Sequence, residues 1–180
     1  MSKVDDLLTQ YRKTVDLPWK QRLAGAQKVW FVVYEPSYER EMRARIGEFK
    51  LATNQAGHAW KRVDVTASFP TWMAEHPYRD AYFEDPSDLE WSLEDFTREV
   101  ASSIQAVLQE TDEQTVVAVT GIGTLFGLTY VSEILDAVND EIDGRLAVFF
   151  PGRHHNNTYR LLDARDGWDY LAMPIKPEPS

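Results

Sequence analysis

The chain has 180 residues, 43% of them apolar, and a formal net charge of −10. That length and apolar share fit one ordinary domain with its own core and exclude a disordered chain. The absence of cysteine excludes a disulfide framework, a thiolate nucleophile and a Cys-ligated metal, and the acidic balance argues against direct nucleic-acid binding, whose affinity comes from Lys and Arg on phosphates.

Val4, Leu7, Leu8, Tyr11 and Val15 recur at helical spacing, which predicts a helix over 3–16, ended by Leu17-Pro18. The N-terminus carries Asp5 and Asp6 where a signal peptide needs a basic and then an apolar run. No apolar stretch approaches the ~18 residues of a membrane span, so the expected location is the cytoplasm. Val29–Tyr34 is an unbroken apolar run rich in β-branched and aromatic residues, as in a strand buried on both faces. Glu35-Pro36 breaks it, and 38–55 returns to helical periodicity. Arg40, Arg43 and Arg45 stand there among Glu39, Glu41 and Glu48, a solvated helix face rather than a basic patch.

A second strand is expected at 59–65, followed by an aromatic, loop-rich stretch over 66–86 with one or two short helices. Ser87-Asp88-Leu89-Glu90 has the pattern of a capping box opening a helix that runs to about Gln109. Val116–Val119 reads as a buried strand, and Gly121-Ile122-Gly123 leads to a helix expected from Leu125 to Asn139. Leu146–Phe150 is the next buried strand, ended by Pro151-Gly152. Tyr159–Leu162 and Trp168–Ile175 flank Ala164–Gly167 and read as a hairpin. The whole predicts one α/β domain over 1–175: three layers, a mainly parallel sheet, Rossmann-like or degenerate P-loop-like, with a C-terminal antiparallel hairpin at its edge. Residues 176–180 are expected to form a flexible tail.

Ligands in such folds bind at the carboxyl ends of the strands. Three loops should meet there, which makes Glu35, Gly121, Gly123, Thr124, Phe126, Gly127, Pro151, Gly152 and His154 the candidate binding residues. The Gly121–Thr129 segment has the layout of a phosphate-binding loop. A working one needs a Lys for the β/γ-phosphates and a hydroxyl for Mg²⁺. Thr129 fits the second role, but Leu128 stands in the Lys position, Ile122 stands where the leading Gly belongs, and no acid ends the strand at 146–150. A dinucleotide fingerprint fails as well, because Gly121–Phe126 ends in Phe. Nucleotide or anion binding at this loop is therefore the alternative reading, beside a plain strand-to-helix turn.

Other chemistry finds little support. His154-His155 point to opposite sides of an extended chain, with only His58 and His76 elsewhere and no H-E-x-x-H. Ser132 sits inside a predicted helix rather than on an elbow. Asp85/Asp88 and Asp163/Asp166 lie in turns, where Asp serves local hydrogen bonding. No catalytic residue, cofactor or metal site is expected. Trp72, Tyr78, Tyr82 and Phe83, with Trp91 near them, either cap the core beneath a long loop or form a partner surface.

Several segments together carry a resemblance. Leu17-Pro18-Trp19 leads to Val29–Pro36 and the Arg-rich helix, and Phe69-Pro70-Thr71-Trp72 leads to Tyr82-Phe83. Thr120–Phe126, Phe149-Phe150-Pro151-Gly152 and Tyr159–Trp168 follow. This order, above all the T-G-I-G loop and the F-F-P-G strand end, resembles the BrxB family of bacterial BREX phage-defence systems along nearly the whole chain. The resemblance implies a small cytoplasmic component of a multi-protein defence system. Its partners would be other BREX proteins, the phosphatase-like PglZ first and the ATPase BrxC second. It supplies no catalytic residues, so it implies a protein that holds others rather than an enzyme.

Overall fold

The computed structural model describes residues 2–162, 164 and 167–179. Helix α1 (Lys3–Asp16) opens on a capping box: the Ser2 hydroxyl accepts from the Asp5 amide while the Asp5 carboxylate accepts from the Ser2 amide. Its five expected apolar residues are buried. Strand β1 (Val29–Tyr34) is buried along its whole length. Helix α2 (Glu39–Gln55) follows a single 3₁₀ turn at Pro36–Tyr38, and β2 (Ala59–Asp64) is an edge strand with mostly exposed side chains. The aromatic stretch forms two short helices, α3 (Ser68–Glu75) and α4 (Arg79–Glu84).

Helix α5 (Leu93–Leu108) begins later than expected. Pro86–Ser92 is a 3₁₀ helix, and Ser87 does not cap it: its hydroxyl and amide both donate to the Asp85 carboxylate. Asp85-Pro86 places a better acceptor and a preset φ two residues earlier, and that pair wins. After β3 (Thr115–Thr120) the helix expected from Leu125 is also shorter. A 3₁₀ turn at Ile122–Leu125 is interrupted by Gly127 at φ 78° and Tyr130 at ψ 130°, so α6 covers only Val131–Val138.

Strand β4 (Arg145–His155) runs five residues past its expected end at Phe150. Pro151 is the last residue paired with β1, and Gly152 the first paired with β5 (Thr158–Leu161). The strand thus passes from a parallel ladder into an antiparallel one at the Pro-Gly pair. The antiparallel pairing expected after Tyr159 is present between β5 and β6 (Trp168–Asp169). The second arm goes no further, because β7 (Met173–Ile175) returns beside β1 in parallel.

The sheet order is β2-β3-β4-β1-β7, parallel throughout, with β5 and β6 continuing from β4. Alternation along β1 divides the core into two layers. Trp30, Val32 and Tyr34 face α1 and α2, while Val29, Phe31 and Val33 face α5 and α6. This is the three-layer α/β arrangement with a mainly parallel sheet.

Candidate functional site

The carboxyl ends of β1, β2 and β3 close over Gly121. Gly121 takes φ 84°, and a Cβ there would lie 2.3 Å from the Thr66 hydroxyl and 2.9 Å from an Asp64 carboxylate oxygen. Around it the Tyr34 hydroxyl donates to Glu39 at 2.5 Å, and Arg43 donates to the same carboxylate at 2.9 Å. Arg62 donates to the Thr120 hydroxyl at 3.0 Å and lies 3.6 Å from Asp64. Burial pushes the Asp64 carboxyl up, but two hydrogen bonds from Thr66 and the nearby Arg62 and Arg43 outweigh it, so the group ends below its ordinary value. The Tyr34 phenol is pushed upward by burial and by Glu39. The cavity enclosed here is about 20 Å³, room for roughly one water, whereas organic ligands occupy roughly 300 Å³ or more.

The glycine loop is hydrogen-bonded to itself. The amides of Thr124, Phe126, Leu128 and Thr129 donate to the carbonyls of Gly121, Gly123 and, for the last two, Leu125. Those N–H groups do not converge on a point outside the loop, which is what phosphate binding requires. Leu128, in the position of the catalytic lysine, packs on the core beside α5 and α6. Gly123 rests against Pro151, to which a Cβ would come within 3.4 Å. Phe126 and Gly127 turn away from the strand ends altogether and line a separate groove.

Glu35, Gly152 and His154 meet in a third place, an open cleft of about 480 Å³ between β1, β4 and residues 176–179. His154 Nδ1 accepts from Lys176 at 3.1 Å, and burial first, then Lys176 and His155, lower the imidazole pKa. His155 instead is exposed, beside Asn156. Gly152 is needed because a Cβ would fall 2.0 Å from the Arg160 carbonyl oxygen across the hairpin. Residues 176–179 lie along α1, where the Glu178 amide donates to Asp6 at 2.7 Å. Among the described residues no three His, Asp or Glu side chains are grouped to hold a metal. Asp163 and Asp166 lie outside the described residues, and Asp85 serves as the cap described above. No described helix is long and apolar enough to cross a membrane.

The candidate aromatics divide. Trp72 is half-buried against Phe96, with ring centroids 5.3 Å apart, and Tyr82 is half-buried with its hydroxyl 2.5 Å from that of Ser92. Tyr78 and Phe83 project, at 65% and 72% exposure. Trp91, grouped with them from the sequence, is 88% exposed, and two aromatics outside that group also project: Phe126, expected as a binding-loop residue, at 45%, and Tyr130 at 72%. Trp91 falls off the Leu89–Leu93–Phe96 stripe, which is the signal that it faces outward. Phe126 and Tyr130 wall a groove of about 470 Å³ beside the start of α5.

A family model described as BREX protein BrxB matches residues 82–175, just over half of the chain. The matched span takes in α5, the glycine loop, the Phe149–Gly152 strand segment and the C-terminal strands. No curated protein and no solved structure matches the chain.

Proposed function

The chain belongs to the BrxB family of BREX phage-defence proteins, and on that premise we propose that it is a non-enzymatic, cytoplasmic accessory subunit that works by holding other components of its system. The PglZ-type phosphatase is the first partner and the BrxC-type ATPase the second. The observation that carries this reading is the set of exposed aromatic side chains at Tyr78, Phe83, Trp91, Phe126 and Tyr130. Exposing large rings to water is unfavourable, and aromatic residues anchor protein interfaces when they do project. The self-bonded glycine loop, with Leu128 packed against the core, supports a structural rather than a nucleotide-handling role for that segment.

Tagged chain is mixed with each purified BREX component of the same system, and the complexes are resolved by size-exclusion chromatography. The expected result is a stable complex with the PglZ-type protein or, failing that, the BrxC-type protein. A folded chain that elutes alone in every pairing overturns the reading.

A further inference from the structure

The groove beside α5 has a chemistry of its own. Its floor is apolar, formed by Leu128, Val131, Leu161 and Trp168, and Phe126 and Tyr130 stand on its wall. Its rim is acidic: Glu90, Glu94 and Glu133 are exposed around it, and the described lining residues include no Lys or Arg. Two of its hydroxyls, those of Thr97 and Thr129, are 2.5 Å apart and bonded to each other. That bond ties the 126–130 segment to α5, so the groove exists before anything binds and little ordering cost is left to binding.

We propose that this groove docks a segment of a partner protein that inserts a large apolar side chain between flanking Lys or Arg residues. The inference rests on the accessory-subunit reading and deepens it by placing the contact and the partner's chemistry. The apolar floor gains from covering, while the three rim carboxylates select the sign of what covers it. A second copy of this chain is the wrong occupant. The same face would oppose Glu90, Glu94 and Glu133 with three further carboxylates, on a chain of net charge −10. A small ligand is also disfavoured, since Thr97 and Thr129 satisfy each other and Trp168 Nε1, without a partner among the described residues, is itself buried, which leaves the rim carboxylates and the exposed Tyr130 hydroxyl as the side-chain groups to orient it.

The test compares wild type with Glu94→Lys/Glu133→Lys and with Tyr130→Ala, in binding assays against the purified PglZ-type and BrxC-type proteins. Glu110→Lys/Glu113→Lys, at the far end of α5, serves as the matched charge control. All five positions are exposed, and thermal unfolding reports whether each variant folds like wild type. Groove variants are expected to weaken the complex about tenfold or more, the charge pair losing its salt dependence, while the control binds as wild type. If the groove variants bind as tightly as wild type, or the control weakens binding equally, the groove proposal is overturned and the accessory-subunit reading stands. If wild type binds neither protein, that reading falls and the groove proposal with it. Should Tyr130→Ala fold poorly, the charge pair alone decides.

Discussion

Gly121 sits so close to Thr66 that a methyl group on it would lie 2.3 Å from the Thr66 hydroxyl and 2.7 Å from its backbone nitrogen. Thr66 cannot retreat, because both its hydroxyl and its amide are held by Asp64 at 2.6 and 3.0 Å. The Gly121→Ala variant therefore meets a clash as well as the cost of φ 84°, and a loss of about 2–4 kcal/mol is expected. Gly127 is the control. It has a similar φ of 78° but nothing within 4 Å of a Cβ, so Gly127→Ala should cost only about 1 kcal/mol. Urea unfolding of the two variants measures the difference, and equal losses would show that φ alone demands glycine at 121.

The same loop is expected to ignore nucleotides. Four of its amides are already bonded to its own carbonyls, Asp64 stands beside its first glycine, and the cavity over it holds roughly one water. A ligand that binds only the native state must raise the unfolding temperature. ATP or GTP with Mg²⁺ at millimolar concentration should leave that temperature unchanged. A saturable rise would restore the nucleotide-binding alternative.

Acid should loosen the junction between α1 and α2. Arg45 donates to Asp5 at 2.7 Å, to Glu48 at 2.5 Å and to Glu41 at 3.3 Å. The Ser2 amide first, then Arg45, lower the Asp5 pKa from 3.8 to about 2, and Arg45 lowers that of Glu48. A carboxyl with a depressed pKa in the folded state stabilises fully above its unfolded value, and that contribution disappears as pH falls through the folded value. The window here is 3.8 down to about 2. Wild type and Arg45→Met should differ in unfolding temperature at pH 7, and the gap should narrow across that window. Because these groups are partly open to solvent, added salt should narrow it too. A gap that stays constant from pH 7 to pH 2 would show that Arg45 acts through its alkyl packing instead.

What could be read from the residues, and what could not, follows from the range of the forces involved. Val29–Tyr34, Val116–Val119 and Leu146–Phe150 announce themselves because a strand covered on both faces must be apolar throughout. The stripe of α1 is equally local. The errors arise where a local signal meets a nearby stronger one, or a distant one. Ser87 had the right pattern for a cap, but Asp85 took its hydroxyl. Leu128 kept the helical period, yet it packs against the core from a turn at Gly127 rather than from a helix. Pro151 looked like a strand end because proline cannot donate, but its carbonyl accepts from Leu162 at 2.8 Å and the strand continues. The groove was illegible for a different reason. Its walls come from 90–97, from 126–133 and from Leu161, Ala164 and Trp168, and no periodicity in one segment encodes what another will place opposite it.

The turn that follows β4 carries a signature in its residues as well. His155 pairs with Thr158, so Asn156-Asn157 form a two-residue loop, and both have positive φ, 49° and 66°. Those values mark a type I′ turn, whose twist matches that of the paired strands, and Asn tolerates them better than any residue except Gly. The hairpin it closes matters to the core, because Tyr159 on its second strand is buried and stacks on Phe31 with centroids 4.2 Å apart. Asn157→Gly should therefore hold or raise stability. Asn157→Val should lower it by about 1–2 kcal/mol, since a β-branched side chain is strained at this φ. Urea unfolding gives the magnitudes, and near-ultraviolet circular dichroism reports on the Phe31–Tyr159 packing. If Asn157→Val matched wild type in both, the turn would not be what sets the register of β5 against β4.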